Sequence, residues 1–292
     1  MRTSPLKHVS AKVADADENA PWRTDRLTTM QLLNREIARG KPVSPIFSVF
    51  GVTNALFKID WLHCSDKGVT PDFLGNLFEY FVQSKIPGRT ISDRCTVLGR
   101  WADEYYAEHD VEDKLKSFQR KAWLSEKIKT RPPCLKGNAA SARALVPFAK
   151  EICARHLSPD VPEESAMIAA SIHLANCYSA LSDANRAFGH DAMFNSSKGF
   201  AQQYKALFEA HGSKVKWRVM PKMHMFLELC SQRTEPAKFW CYRDEDFGGS
   251  VARQSRMKGR WRHLGAFSKR ALDLFRMKNP APRIVKKTVR KR

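Results

Sequence analysis

Two short stretches carry the residue types from which metal-assisted phosphodiester chemistry is built. Asp60 lies near the end of the hydrophobic run 55–62 (ALFKIDWL), with His63 three residues on. Asp244, Glu245 and Asp246 follow the aromatic segment 237–242 (AKFWCY) and lead into a basic stretch. A carboxylate at a strand end and another opening a helix can be gathered around two divalent ions. Carboxylates suit the task because hard cations such as Mg²⁺ prefer oxygen ligands. Two such ions activate a water or a 3′-hydroxyl and stabilise the leaving oxygen. A plainer reading stands beside each group. An Asp at a strand end commonly caps a turn or helix, acids ahead of a helix complement its dipole, and a lone His is commonly a hydrogen-bonded core residue.

Other chemistries find no foothold. The sequence has no Walker loop, GxSxG elbow, GxGxxG turn or HExxH helix. The seven cysteines are scattered singly with no CxxC pair, which predicts reduced thiols and no zinc site. No apolar run reaches the ~18 residues of a membrane span, and the first 22 residues lack the apolar centre of a secretory signal. The expected location is nuclear or cytoplasmic, neither secreted nor in a membrane. Composition, 43% hydrophobic and 27% charged, is that of a folded chain and not a disordered one.

The net charge of +20 is unevenly placed. Residues 251–292 hold fifteen Lys and Arg against one acid, Asp273, and so carry fourteen of the twenty net charges. Concentrated positive charge suits a polyanion, because each neutralised phosphate releases condensed counterions. DNA is the expected partner, with Lys222, Arg253, Arg256, Lys258, Arg260, Arg262, Lys269 and Arg270 as expected contacts. A nuclear-targeting tail is the alternative for the last ten residues, RIVKKTVRKR.

The elements that must position these groups read as mostly helical. A short helix is expected over 28–39, closed by Gly40 and Pro42. Segments 45–50 and 55–62, rich in Phe, Ile, Val and Trp, are the strand material. From Pro71 the apolar spacing turns helical, with Asp72 near a helix N-terminus and Phe73, Leu74, Leu77, Phe78 and Phe81 on a core face. Further helices are expected over 139–156, 163–181 and 196–211. Phe73, Leu77, Phe78, Trp101, Leu145, Phe148, Ile172, Leu174 and Tyr204 should be buried.

The stretch Asp60–Asn76 (DWLHCSDKGVTPDFLGN) resembles the DxxH…Gv…lgn signature of eukaryotic cut-and-paste DNA transposases, of the CACTA and Kyakuja-Dileera-Zisupton types. Residues 221–227 (PKMHMFL) resemble the PKxHxL segment of those enzymes, and 242–249 (YRDEDFGG) stand where they carry their final Glu. Over roughly 20–277 the chain is similar to the transposase-like open reading frames of dinoflagellate genomes. The resemblance implies a ribonuclease-H-like core interrupted by a long helical insertion. It also implies that Asp60 and Glu245 are the second and third metal-binding acids, that His63 belongs to the catalytic site, and that Mg²⁺ or Mn²⁺ is the cofactor.

The expected fold class is therefore mainly α with a small β component, a partial ribonuclease-H-like α/β core holding a large all-helical insertion. Its divisions are a polar segment 1–44, core strands 45–70, the insertion 71–215, a return segment 216–278 with the final acid and a basic helix, and a tail 279–292. The family's first Asp stands on an opening strand well before DxxH. Three strands, a helix and their connections need about 50 residues. Residues 1–44 show no strand pattern, and Asp15 and Asp17 lie in a polar, Ala-rich stretch. The expectation is an N-terminally truncated transposase-like protein that lacks the first acid, binds metal weakly and is catalytically incomplete. Lys222 or Arg243 would stand between the remaining carboxylates. The alternative is a non-catalytic helical module that binds nucleic acid or protein, with Asp60 and Glu245 serving only as caps. A homo-oligomer is compatible with either.

Overall fold

The computed structural model describes residues 27–125, 131–183, 185–211 and 215–242, together with 245, 247–249, 269, 272, 273, 276 and 277. The chain divides into two units, Met1–Trp240 and Cys241–Arg292. The described part of the first is mainly helical: α1 (Thr29–Ala38), α2 (Thr70–Tyr80), α3 (Ile91–Glu108), α4 (Ala139–His156), α5 (Pro162–Ser179), α6 (His190–His211) and α7 (Pro221–Cys230). Wide π-type turns run into α2 at Leu62–Val69 and out of it at Phe81–Lys85. In the second unit the described residues from 242 onward are helical.

The helix starts follow from their caps. Thr90 and Asp93 form a capping box on α3, and Thr28 and Gln31 form another on α1. Asn138 accepts the Ser141 amide at the start of α4. Pro162 opens α5, with Glu163 and Glu164 in the dipole-favoured first turn.

At the centre lies α2. Every residue from Thr70 to Glu79 except Asp72 is buried, so this helix has no solvent face and must be enclosed. Phe73 meets Phe200 of α6 edge-on at 5.6 Å, and Phe78 meets Trp123 at 5.9 Å. Phe200 also reaches Phe226 of α7 at 6.0 Å. Gly75 lets a loop lie directly on α2: a Cβ there would stand 2.5 Å from the Cys134 amide nitrogen. Asn76 holds two loops to the same helix, donating to the Pro133 carbonyl (3.1 Å) and accepting the Trp217 amide (2.9 Å).

Two buried carboxylates tie the helices together. Glu164 of α5 accepts from Tyr80 (2.7 Å) and the Ser158 amide (2.8 Å) and pairs with Lys85 (2.6 Å). Glu79 of α2 receives Arg120 Nε (3.1 Å), Trp123 Nε1 (3.0 Å) and Gln83 (3.0 Å). Burial opposes the charge on Glu79, but the hydrogen bonds from Arg120, Trp123 and Gln83 outweigh it and hold the carboxyl below its ordinary range.

Of the expected core, Phe73, Leu77, Phe78, Leu145, Phe148, Leu174 and Tyr204 are buried. Trp101 is half-buried, stacked on His156 at 4.1 Å. Ile172 is 38% exposed, a correction to the expectation, because α5 buries the Ala- and Ser-rich face that packs on α6.

The strands expected over 45–50 and 55–62 are not formed. Pro45–Ser48 and Asn54–Leu56 are single 3₁₀ turns, and no sheet occurs among the described residues. The small β component and the ribonuclease-H-like core are therefore absent from the described architecture. Phe50, Leu56 and Phe57 face solvent. Without a third strand or a covering helix, a two-strand pairing is marginal, and Gly51 at φ 81° turns the chain between the two pieces.

A single cluster of buried residues holds members from Trp61 to Cys230. No helix among the described residues is long and apolar enough to cross a membrane.

Candidate functional site

Asp60 sits where the chain turns into helix. Its Oδ2 accepts the His63 amide at 2.9 Å, and its carbonyl accepts the Cys64 amide at 3.0 Å. This is an N-cap, the residue type and offset that satisfy an otherwise orphaned donor. The same Oδ2 lies 2.7 Å from His63 Nδ1, so the two conspicuous residues of the DxxH stretch form one partly exposed carboxylate–imidazole pair.

Behind this pair the helix is wide-turned and kinked. Lys67 leaves helical geometry at φ −112° and ψ 16°, and Lys222 Nζ from α7 donates to its carbonyl at 2.8 Å. Gly68 makes that approach feasible, since a Cβ would come within 2.7 Å of Lys222 Cδ and 3.0 Å of the His63 carbonyl oxygen. Cys64 donates to the Lys222 carbonyl at 3.5 Å. Trp61, fully buried, packs on Phe226 at 6.0 Å and edge-on against Tyr178 at 5.4 Å. The Asp60–Asn76 and 221–227 segments, far apart in sequence, are thus one packed unit. Lys222, an expected DNA contact, anchors the kink.

A second acid lies one turn inward. Asp66 is 1% exposed, and its Oδ1 accepts the Tyr178 hydroxyl. The same hydroxyl is 2.8 Å from Thr70 Oγ1 and 3.1 Å from Ser65 Oγ. Burial, followed by the Asp66 charge, pushes the Tyr178 phenol far up, which keeps it a neutral donor. Arg143 from α4 lies over the Tyr178 ring at 5.7 Å and over the Trp240 ring at 5.3 Å. Sequence inspection missed this network. Nothing in the sequence marks it, since Ser65, Asp66 and Lys67 form a short polar run like an exposed one.

Asp72, in the first turn of α2, is pushed up to about 6 by burial, against the hydrogen bond from Cys134 and the charge of Lys222. A carboxyl raised from 3.8 binds its proton more tightly in the folded state. Its contribution to stability is therefore greatest below about pH 4 and declines as pH rises to about 6. Asp72→Asn should gain stability at pH 7 relative to pH 4, by up to about 2 kcal/mol after allowance for partial exposure. Urea unfolding of both proteins at the two pH values reads this. A gain that is equal at both would show that the carboxyl is not raised.

The thiols here are inert. Burial is the first cause pushing up Cys64, and it also brings Cys134 to about 12, so neither is a nucleophile at neutral pH.

Glu245 belongs to the second unit, where it is half-buried and its amide donates to the Cys241 carbonyl at 2.9 Å in a helical turn. Lys269 is exposed on helical backbone. Asp244, Asp246, Arg243, Arg253, Arg256, Lys258, Arg260, Arg262 and Arg270 lie outside the described residues. In the first unit, Asp60 Oδ2 is engaged by the amide and the imidazole of His63. No protein-family model, curated protein or solved structure matches this chain.

Proposed function

We propose that this chain is a DNA-binding protein of cut-and-paste transposase descent that performs no phosphodiester chemistry of its own. The observation that carries the reading of descent is the packing of two signature-like segments. The Asp60–Asn76 stretch and the PKMHMFL stretch meet through Trp61–Phe226 and Lys222–Lys67, as parts of one inherited site would. Support for DNA binding comes from residues 251–292, whose fourteen net positive charges meet phosphate without reading bases. Support for the absence of catalysis comes from Asp60, whose carboxylate is engaged as a cap and with His63. Mg²⁺ or Mn²⁺ then binds weakly, and the ribonuclease-H-like sheet belongs to the ancestry rather than to the described fold.

The test uses three unrelated duplexes of equal length. Affinities should agree within about threefold, since phosphate contacts carry no sequence information. With Mg²⁺ or Mn²⁺ added, neither cleavage nor strand transfer should follow. Asp60→Ala should leave DNA affinity unchanged while lowering unfolding stability by about 1 kcal/mol, the worth of a cap. Metal-dependent cleavage that Asp60→Ala abolishes would contradict the non-catalytic part. Failure to bind any duplex would contradict the whole.

A further inference from the structure

We propose that a basic groove in the first unit, remote in sequence from the basic tail, holds a single unpaired nucleic-acid strand. This inference rests on the DNA-binding reading and assigns it a second, built site.

The groove encloses about 740 Å³, within the ~300–1,000 Å³ range of sites that enclose a small ligand. One wall is α1, which presents Arg35; the other is the chain leaving α7, which presents Arg233; the turn after Asn54 supplies Phe57 and Lys58. Three cations line it and no acid does. The acids adjacent in sequence are held by other groups, Glu36 only in part. Glu36 pairs with Arg39 (3.4 Å) and Lys41 (3.8 Å) as well as Arg35 (3.8 Å), and Glu235 is buried on Ser182. Lys58 and Arg233 have no carboxylate partner among the described residues, and both are exposed.

The turn is tied to the start of α1. Asn54 accepts from the Thr29 hydroxyl at 2.9 Å, returns its amide to the same oxygen at 3.0 Å, and donates to the Leu27 carbonyl. These bonds join the turn to the start of α1 across 25 residues.

Phosphodiester oxygens match three cations, of which only Arg35 has a carboxylate beside it, Glu36 at 3.8 Å. Phe57, 54% exposed and in tilted contact with Phe47 at 5.7 Å, lines the groove with aromatic surface on which a base can stack. Cations tracking a backbone beside an aromatic stacking face are the requirements for an unpaired strand. A duplex keeps its bases stacked inward and cannot present one to Phe57. The groove therefore separates two tasks, with the tail on duplex phosphate and the groove on an exposed strand.

The experiment measures binding of a labelled eight-nucleotide oligothymidylate, and of a duplex, to the full chain and to two variants. The triple variant Arg35→Gln/Lys58→Gln/Arg233→Gln should lower the single-strand salt slope by about 2, at about 0.7 per phosphate contact. Phe57→Ala should weaken single-strand binding about tenfold. Duplex affinity should change less than twofold in Phe57→Ala. Should the triple variant melt early, Lys58→Gln alone, at an exposed and unpaired position, should lower the slope by about 0.7. Unchanged single-strand binding in these variants overturns the groove while leaving DNA binding by the tail intact. Loss of oligothymidylate binding to millimolar inorganic phosphate alone would mark a site for a free anion and also overturn it. If the full chain binds neither DNA form, the groove and the functional reading fall together.

Discussion

Arg120→Ala should be among the most damaging single substitutions in the first unit, lowering its stability by about 3 kcal/mol. Removing one partner of a buried ion pair costs ~3–5 kcal/mol, because the remaining charge stays desolvated. Here the stranded group is Glu79, whose side chain is 6% exposed, while Arg120 itself is 35% exposed, which places the effect at the lower end. Trp123 and Gln83 would still donate to Glu79, but neither carries charge. Adding Glu79→Gln to Arg120→Ala should recover part of the loss, since the double variant buries no charge. The pH dependence has a definite sign. Glu79 is held below 4.5, so its contribution is present above that value and is lost as pH falls through the lower folded value. The gap between the natural chain and Arg120→Ala should therefore be full at pH 7 and narrow below about pH 4. Guanidinium unfolding at both pH values reads it. A gap that persists undiminished at pH 3 would mean that packing, not the ion pair, is what Arg120 supplies.

Much of the helical architecture could be read locally. The caps at Thr90 and Asn138 and the Pro162-Glu163-Glu164 start are signals confined to a few residues, and α3, α4 and α5 begin where those signals stand. The N-cap at Asp60 is likewise local, because an Asp three residues before His63 reaches its amide whatever lies beyond. The segments 45–50 and 55–62 misled because strand propensity describes residues that suit a pleated, half-buried surface. Here the surface that would half-bury them is missing, and Phe50 and Leu56 stay in solvent. The inner network was illegible for a different reason. Asp66 is kept inside by Tyr178, 112 residues away, and Glu79 by Arg120, 41 residues away. A carboxylate that will meet such a donor looks the same in sequence as one that will meet water. Lys222 is similar: its charge suggests phosphate, and nothing in the sequence marks the Lys67 carbonyl that it meets.

The resemblance drew attention to three stretches, and the first unit brings two of them into contact around Trp61. The third, with Glu245, lies in the second unit. What most needs testing is therefore the polyanion-binding claim, which rests on charge that the sequence places in residues 251–292.

The most direct measurement is the equilibrium affinity of the 292-residue chain for a 30-base-pair duplex as salt rises from 50 to 200 mM. With ~6–10 phosphate contacts, affinity should fall by about 10³–10⁵ over that range. Removing residues 281–292, which hold six Lys and Arg, should flatten the slope of log affinity against log salt by up to about 5. A chain that binds duplex DNA with the same slope with and without those residues, or that does not bind it at 50 mM salt, would contradict the account.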